Sequence, residues 1–335
     1  MRANPGTVLF RHVDAPALRE AFASLGYPTC FASSAAEEEA AIAGGLLLCI
    51  SSMYREVKQP LTSLRMRQRI NAAGAPLICW NRDGPSHMGA KAWRLWLLRH
   101  IDFMDAYATH TLQDAGHFAS EVIYLPNAAW DTHYHLDSRT LESLRDISTY
   151  RHSVSFFGAL DATRYPEMAR RTEFFAALAS RLDDIGIDHH FTGESLSFAQ
   201  QRELIQRSRI NLNFHAGCDT RYRGGYRGQP SSWGLPERCF GIPACGGFLL
   251  SDYRPHAYDA FINGEEWADF SDLDDCIAKI RFHLDHFDET RQIAEAAWRR
   301  VQAQHRYVHR AEHLLRFADY WRSMRNSARG TANEL

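Results

Sequence analysis

The apolar positions of this chain fall in short runs that alternate with stretches of helical spacing. TVLFRHV predicts a strand, and APALREAFASLG after it a helix with one apolar face. LLLCIS is apolar nearly throughout, the pattern of a parallel strand covered on both faces. PLICWN predicts another strand, DAYATHT and EVIYLP two weaker ones, and NAAWDTHYHLDSRT breaks the pattern as a connection. A second alternating set opens at SVSFFGAL. It continues with a helix over MARRTEFFAALASRL, a strand at IDHHFTG, a helix at FAQQRELIQRS and a strand at RINLNFH. GIPACGGFLLSDY then steps from a helix into a strand, and from about Asp272 the pattern is helical, with SMRNSARGTANEL reading as a frayed end.

Two alternating sets predict an α/β fold of two domains, each with a mainly parallel sheet. The expected boundaries are 1–150 and 151–310, with a C-terminal helix and tail over 311–335. Ligands of such sheets sit beyond the carboxyl ends of the strands, and two facing domains make their cleft the expected site.

Composition narrows the function classes. With 45% hydrophobic and 23% charged residues, the chain has the make-up of a soluble globular protein. Its 38 basic and 40 acidic residues leave a formal charge of −2, so no general basic field exists for a nucleic-acid partner. MRANPGTVLFRHVDAP lacks the apolar core of a signal peptide. GGLLLCI and GGFLL are too short to span a bilayer, so no transmembrane segment is expected. The seven cysteines are scattered and never spaced C-x-x-C, which points to free thiols in a reducing compartment, hence the cytoplasm. Attachment to a membrane surface stays open.

Five blocks carry a resemblance: FFGALDATRYPEM, RINLNFH, LPERCFGIPACGGFLLSDY, FINGEEWADFSDLDDCIAKI and RQIAEAAWRRVQAQHRYVHRAEHLL. In this order they resemble the C-terminal half of GT-B glycosyltransferases like the spore-maturation protein CgeB, over roughly residues 153–316. The N-terminal half is similar only through PLICWNRDGP and VIYLPNAAWD. The resemblance implies two Rossmann-like domains, an acceptor-side one first and a second that holds a nucleotide-sugar donor. It implies a hexosyltransferase-class enzyme with no cofactor beyond that co-substrate. The acceptor, glycan, protein or small molecule, stays open.

Residue by residue, the resemblance implies donor phosphate contacts from Arg164 and Arg238. A guanidinium there pairs two oxygens at once. On the donor-binding side, Gly246 and Gly247 let a helix end close to its neighbours, and Gly246 is counted among the donor-binding residues. Pro243 implies a kink, or a helix that starts there. The family usually has a ribose-holding glutamate where this chain has Gly241, and Glu237, one helical turn earlier, is the expected substitute. A departure at this position also leaves room for loss of catalysis.

Other readings come from the residues themselves. Arg221 and Arg223, in DTRYRGGYRGQP, form a basic loop able to fold over a diphosphate. Asp83 and His87, in WNRDGPSHMG, are the candidate bases for an acceptor hydroxyl if the reaction inverts the sugar. His305, His309 and His313 recur every four residues but read as a helical stripe, and the HYH at 133–135 lacks a third ligand. SDLDD reads as a helix start, where acidic residues cap. The expectation is therefore a metal-independent glycosyltransferase. The alternatives are a nucleotide-sugar epimerase or hydrolase, and a non-catalytic nucleotide- or sugar-binding protein.

Overall fold

The computed structural model describes residues 6–82, 100–112, 115–117, 119–163, 168–215 and 234–332. Among them the chain divides into two compact units. One holds the residues up to Pro126 and those from Tyr307 on, and the other runs from Asn127 to Arg306.

The first unit carries a six-stranded sheet of β1 (Thr7–Arg11), β2 (Thr29–Ala32), β3 (Leu46–Ser52), β4 (Leu77–Asn81), β5 (Ala106–Thr109) and β6 (Val122–Tyr124). Its order is β2-β1-β3-β4-β5-β6, and every pairing is parallel. Helix α1 (Pro16–Ser24) starts on a proline and buries Leu18, Ala21 and Phe22, a spacing that puts all three on one face. The Phe22 ring meets Phe10 of β1 edge-on at 6.2 Å. Helix α2 (Ala35–Ala43) buries only Glu38 fully, with Ala41 and Ile42 packed in part against the core. A capping box between Ser34 and Glu37 starts it. Helices α3 (Met53–Glu56) and α4 (Pro60–Ala72) follow β3.

The second unit carries β7 (His152–Phe157), β8 (His189–Thr192), β9 (Ser208–Asn213), β10 (Leu249–Asp252) and β11 (Ala268–Phe270). They run in the order β11-β10-β9-β7-β8, again all parallel. Between them lie α5 (Ala169–Asp184), α6 (Phe198–Gln206) and α7 (Arg238–Ala244), and then α8 (Leu273–Asp285) and α9 (Phe287–Gln304). Two all-parallel sheets with intervening helices match the expected α/β architecture.

Three expectations need correction. The connection after β6 belongs with the second unit: Ala129 and Tyr134 lie in its core, and Asn127 Nδ2 donates to Leu235 O at 3.0 Å. The last helix, α10 (Tyr307–Ala332), returns to the first unit, where Arg322 donates to Leu47 O at 2.7 Å and Arg325 to Asn71 O at 3.2 Å. It continues to Ala332, into the segment expected to fray. Helix α7 begins at Arg238, so Pro243 sits in its last turn instead of starting it.

The histidine stripe is also broken. His305 lies between α9 and α10, buried, with Nε2 3.0 Å from Ala260 O, while His309 and His313 belong to α10. In the 133–135 trio, His133 stacks flat on Phe198 at 3.7 Å, and His135 Nδ1 accepts from Asp137 N at 3.0 Å. Asp272 accepts from Asp275 N at 2.9 Å and caps α8, as SDLDD predicts.

Candidate active site

The chemistry of the second unit gathers at the carboxyl ends of β7, β9 and β10, whose last residues are Phe157, Asn213 and Asp252. Arg238, first residue of α7, reaches over them. Its Nε donates to Asn213 Oδ1 at 2.9 Å and its Nη1 to Phe157 O at 2.5 Å. Nη2 has no hydrogen-bond partner among the described residues. The guanidinium lies 5.3 Å from the centre of the Phe156 ring. Gly158, just past β7, makes this possible, because a Cβ there would fall on Arg238 Nη1.

Asn213 Nδ2 donates onward to Ser251 Oγ at 2.9 Å. Beside it, His215 binds Asp252 twice: its backbone N donates to Oδ1 at 2.9 Å and its Nδ1 lies 2.5 Å from the same oxygen. Contact with a carboxylate assigns the ring proton to Nδ1. Nε2 is then an acceptor, and it is buried with no partner among the described residues. Arg254 Nε stands 3.5 Å from Asp252 Oδ2.

The electrostatics follow from burial and these neighbours. Burial lowers the His215 pKa, Asp252 pulls it back up, and Arg254 and Arg238 add to the lowering. Burial pushes the Asp252 carboxyl up, but His215 and Arg254 outweigh it and hold the pKa below its usual range. Burial pushes the Cys239 thiol up to about 12, so it is no nucleophile at neutral pH. The edge therefore offers an arginine with a spare donor, a second arginine, and a neutral imidazole with a spare acceptor. That set suits an oxyanion next to a hydroxyl-bearing group.

Glu237 is the N-cap residue of α7, and its carbonyl accepts from Gly241 N at 2.9 Å. The side of Gly241 is not vacant. A Cβ there would come 2.8 Å from two carbons of the Tyr134 ring. A contact of Glu237 with a donor therefore does not run through the space beside Gly241, which Tyr134 occupies. Gly246 lies at the opposite end of α7 from Arg238, with φ 77°. A Cβ on it would meet Leu144 at 2.6 Å and Leu136 at 2.9 Å, and its carbonyl accepts from Arg291 Nη1 at 2.9 Å. Its surroundings are those of a helix-ending glycine. At Gly247 a Cβ would meet Ile205 at 2.6 Å, the close backbone approach expected there.

Asp83, His87, Arg164, Arg221 and Arg223 lie outside the described residues. Asn213, His215, Asp252 and Arg254 escaped the sequence reading. Asn213 and His215 lie in NLNFH, and Asp252 closes FLLSD, so both motifs stand at strand ends; the rule for parallel sheets was the signal available. Among the described residues there is no group of three or more histidine, cysteine or acidic side chains placed to hold a metal ion. Nor is any described helix long and apolar enough to cross a membrane.

Residues 138–316, just over half of the chain, match the family model described as Glycosyl transferase-like. No curated protein sequence matches the chain. Among solved structures it is similar to sucrose-phosphate synthase from Thermosynechococcus elongatus, with a TM-score of 0.61 and 10% identity over 96% of this chain and 100% of that one. HepE from Anabaena, in complex with UDP, gives a TM-score of 0.58 and 9% identity over 94% and 100%. A glycosyltransferase from Rickettsia africae gives 0.56 and 8% over 94% and 98%. At these identities the likeness establishes the fold, which is GT-B.

Proposed function

The chain belongs to the glycosyl transferase-like family, and on that premise we propose that it moves a sugar from a nucleoside diphosphate sugar to a hydroxyl-bearing acceptor without a metal ion. In the transfer, the bond from the sugar's anomeric carbon to the diphosphate breaks. A bond from that carbon to the acceptor oxygen forms, the acceptor loses its proton, and the diphosphate leaves with the bonding pair. The observation that carries this reading is Arg238, held by Asn213 and Phe157 O with Nη2 to spare at the carboxyl edge of the second sheet. Fixed positive charge aimed at the leaving diphosphate favours the transition state over the ground state. Arg254 adds a second cation, and His215 Nε2 accepts from a donor hydroxyl.

Uridine is the base we favour, because HepE, of like fold, is known in complex with UDP and with UDP-glucose. Within the family, the resemblance of the blocks over residues 153–316 supports a CgeB-like member. Arg164, Arg221 and Arg223 complete the donor site in this proposal, Glu237 takes a donor hydroxyl, and Asp83 or His87 takes the acceptor's proton. The six free cysteines among the described residues support a cytoplasmic location.

A thermal-shift screen with UDP, GDP, dTDP and CMP sugars tests the reading. A base-selective rise in Tm that Arg238→Ala abolishes is expected, since a ligand that binds only the native state raises apparent stability. No rise with any nucleotide would sink it. A second reading, nucleotide or sugar binding without turnover, draws on the filled space at Gly241. Binding with no release of UDP, in the presence of any acceptor or of water, would select it.

A further inference from the structure

The first sheet has a carboxyl edge of its own. From β1 the chain builds β2 on one side and then crosses to β3 on the other, so the strand order reverses between β1 and β3. In open parallel sheets ligands settle at such a reversal, beyond the strand ends. Arg11 ends β1, and Ser51 lies near the end of β3. His12 follows with φ 58°, a left-handed backbone that is strained for a non-glycine residue and that clusters at functional sites. A pocket of about 90 Å³ opens at this place, lined among others by Arg11, His12, Arg55, Glu56, Lys58 and Thr62.

The polar groups of the pocket are only partly matched. Arg11 is buried, at 6% exposed. Its Nε donates to Glu38 Oε1 at 2.8 Å and its Nη1 to Glu56 Oε1, which also accepts from Ser51 Oγ. Arg11 Nη2 has no partner among the described residues. The two carboxylates are thus engaged by Arg11 and Ser51, while Arg55 and Lys58 bring two further cations. Lys58 Nζ sits over the Tyr54 ring at 3.8 Å, which narrows its freedom on the rim.

We infer that this pocket binds a single oxyanion, a carboxylate or phosphate carried by the acceptor. Its volume equals about three waters at roughly 30 Å³ each, room for one such group and too little for a nucleotide. A guanidinium with one free N–H, flanked by two more cations, matches the acceptor-only chemistry of an oxyanion. The inference rests on the glycosyl-transfer proposal only in assigning the oxyanion to an acceptor.

The test uses the full chain and calorimetry with three probes: glucose, glucuronate and glucose 6-phosphate. UDP is titrated in parallel. Arg55 and Lys58 are exposed, so the variant Arg55→Ala with Lys58→Ala leaves the core intact, and its Tm is checked. At least one acidic probe is expected to bind about ten-fold or more tighter than glucose. The double variant should lose that preference while its Kd for UDP stays within about two-fold. Equal binding of acidic and neutral probes, or no binding of either acid, would overturn the inference. So would a double variant that keeps the preference, or one whose UDP affinity falls in step, which would give the cations to the donor. If wild type ignores UDP and its sugars while acid binding tracks Arg55 and Lys58, glycosyl transfer falls and the oxyanion site stands.

Discussion

Tyr134 fills the space that a side chain at Gly241 would need, with its ring carbons 2.8 Å from where a Cβ would stand. The ring is held. Tyr134 is 5% exposed, its hydroxyl donates to Gln201 Oε1 at 2.7 Å, and it packs edge-on against Phe198 at 5.8 Å. Gly241→Glu is therefore expected to destabilise the protein by about 1–3 kcal/mol through overpacking, besides burying a charge. Tyr134→Ala should open the space, so the double variant should be less unstable than the sum of the two singles. Denaturant titration of the four proteins measures this. Additive losses would mean that the two positions do not compete for space.

Gly158 and Arg238 make a second such pair. Gly158→Ala should push Arg238 off Phe157 O and reproduce the donor defect of Arg238→Ala in a folded protein. Loss of a charge-assisted hydrogen bond costs about 1.5–3 kcal/mol, or roughly ten- to hundred-fold in Kd for a UDP sugar. Normal donor affinity in Gly158→Ala would remove Arg238 from the donor site.

His283 sets a pH dependence of stability. It is buried against Phe248 and Thr290, and burial, helped by Lys279 and His286, lowers its pKa from 6.5 to about 4. Above pH 6.5 the imidazole is neutral in both folded and unfolded chains, and its contribution is flat. Between 6.5 and 4 the unfolded chain takes up a proton that the folded one refuses, so stability falls as the pH falls. The full loss is about 3 kcal/mol. His283→Gln should flatten this slope in urea titrations at pH 7.5 and 4.5. An unchanged slope would assign it to other groups.

Chelation addresses the metal-free proposal. With Arg238 and Arg254 as the cations at the leaving group, turnover of the UDP sugar should persist in EDTA. Loss of turnover that Mn²⁺ or Mg²⁺ restores would show that the arginines do not suffice.

By itself the sequence determined the architecture. Period-two and period-3.6 patterns and short apolar runs are local properties, so the two alternating sets were legible before any contact was known. Arg238 could be singled out as a candidate because the resemblance rests on a contiguous block, whereas the place of Pro243 in the last turn of α7 could not. Helix α2 was not legible, since its one fully buried residue is a charge paired with Arg11 and only Ala41 and Ile42 at its end pack in part on the core. Only the tertiary structure decided what surrounds Arg238. Asn213 and Asp252 end strands, and His215 follows one, that meet because β9 lies beside β10, and no local pattern encodes that order. Gly241 shows the same limit. Its sequence neighbours suggest a vacant helix side, but Tyr134, from a segment with no periodicity, packs there. Local sequence sets backbone preference and the apolar face; long-range packing decides which side chain fills a gap and which polar atoms are left for a ligand.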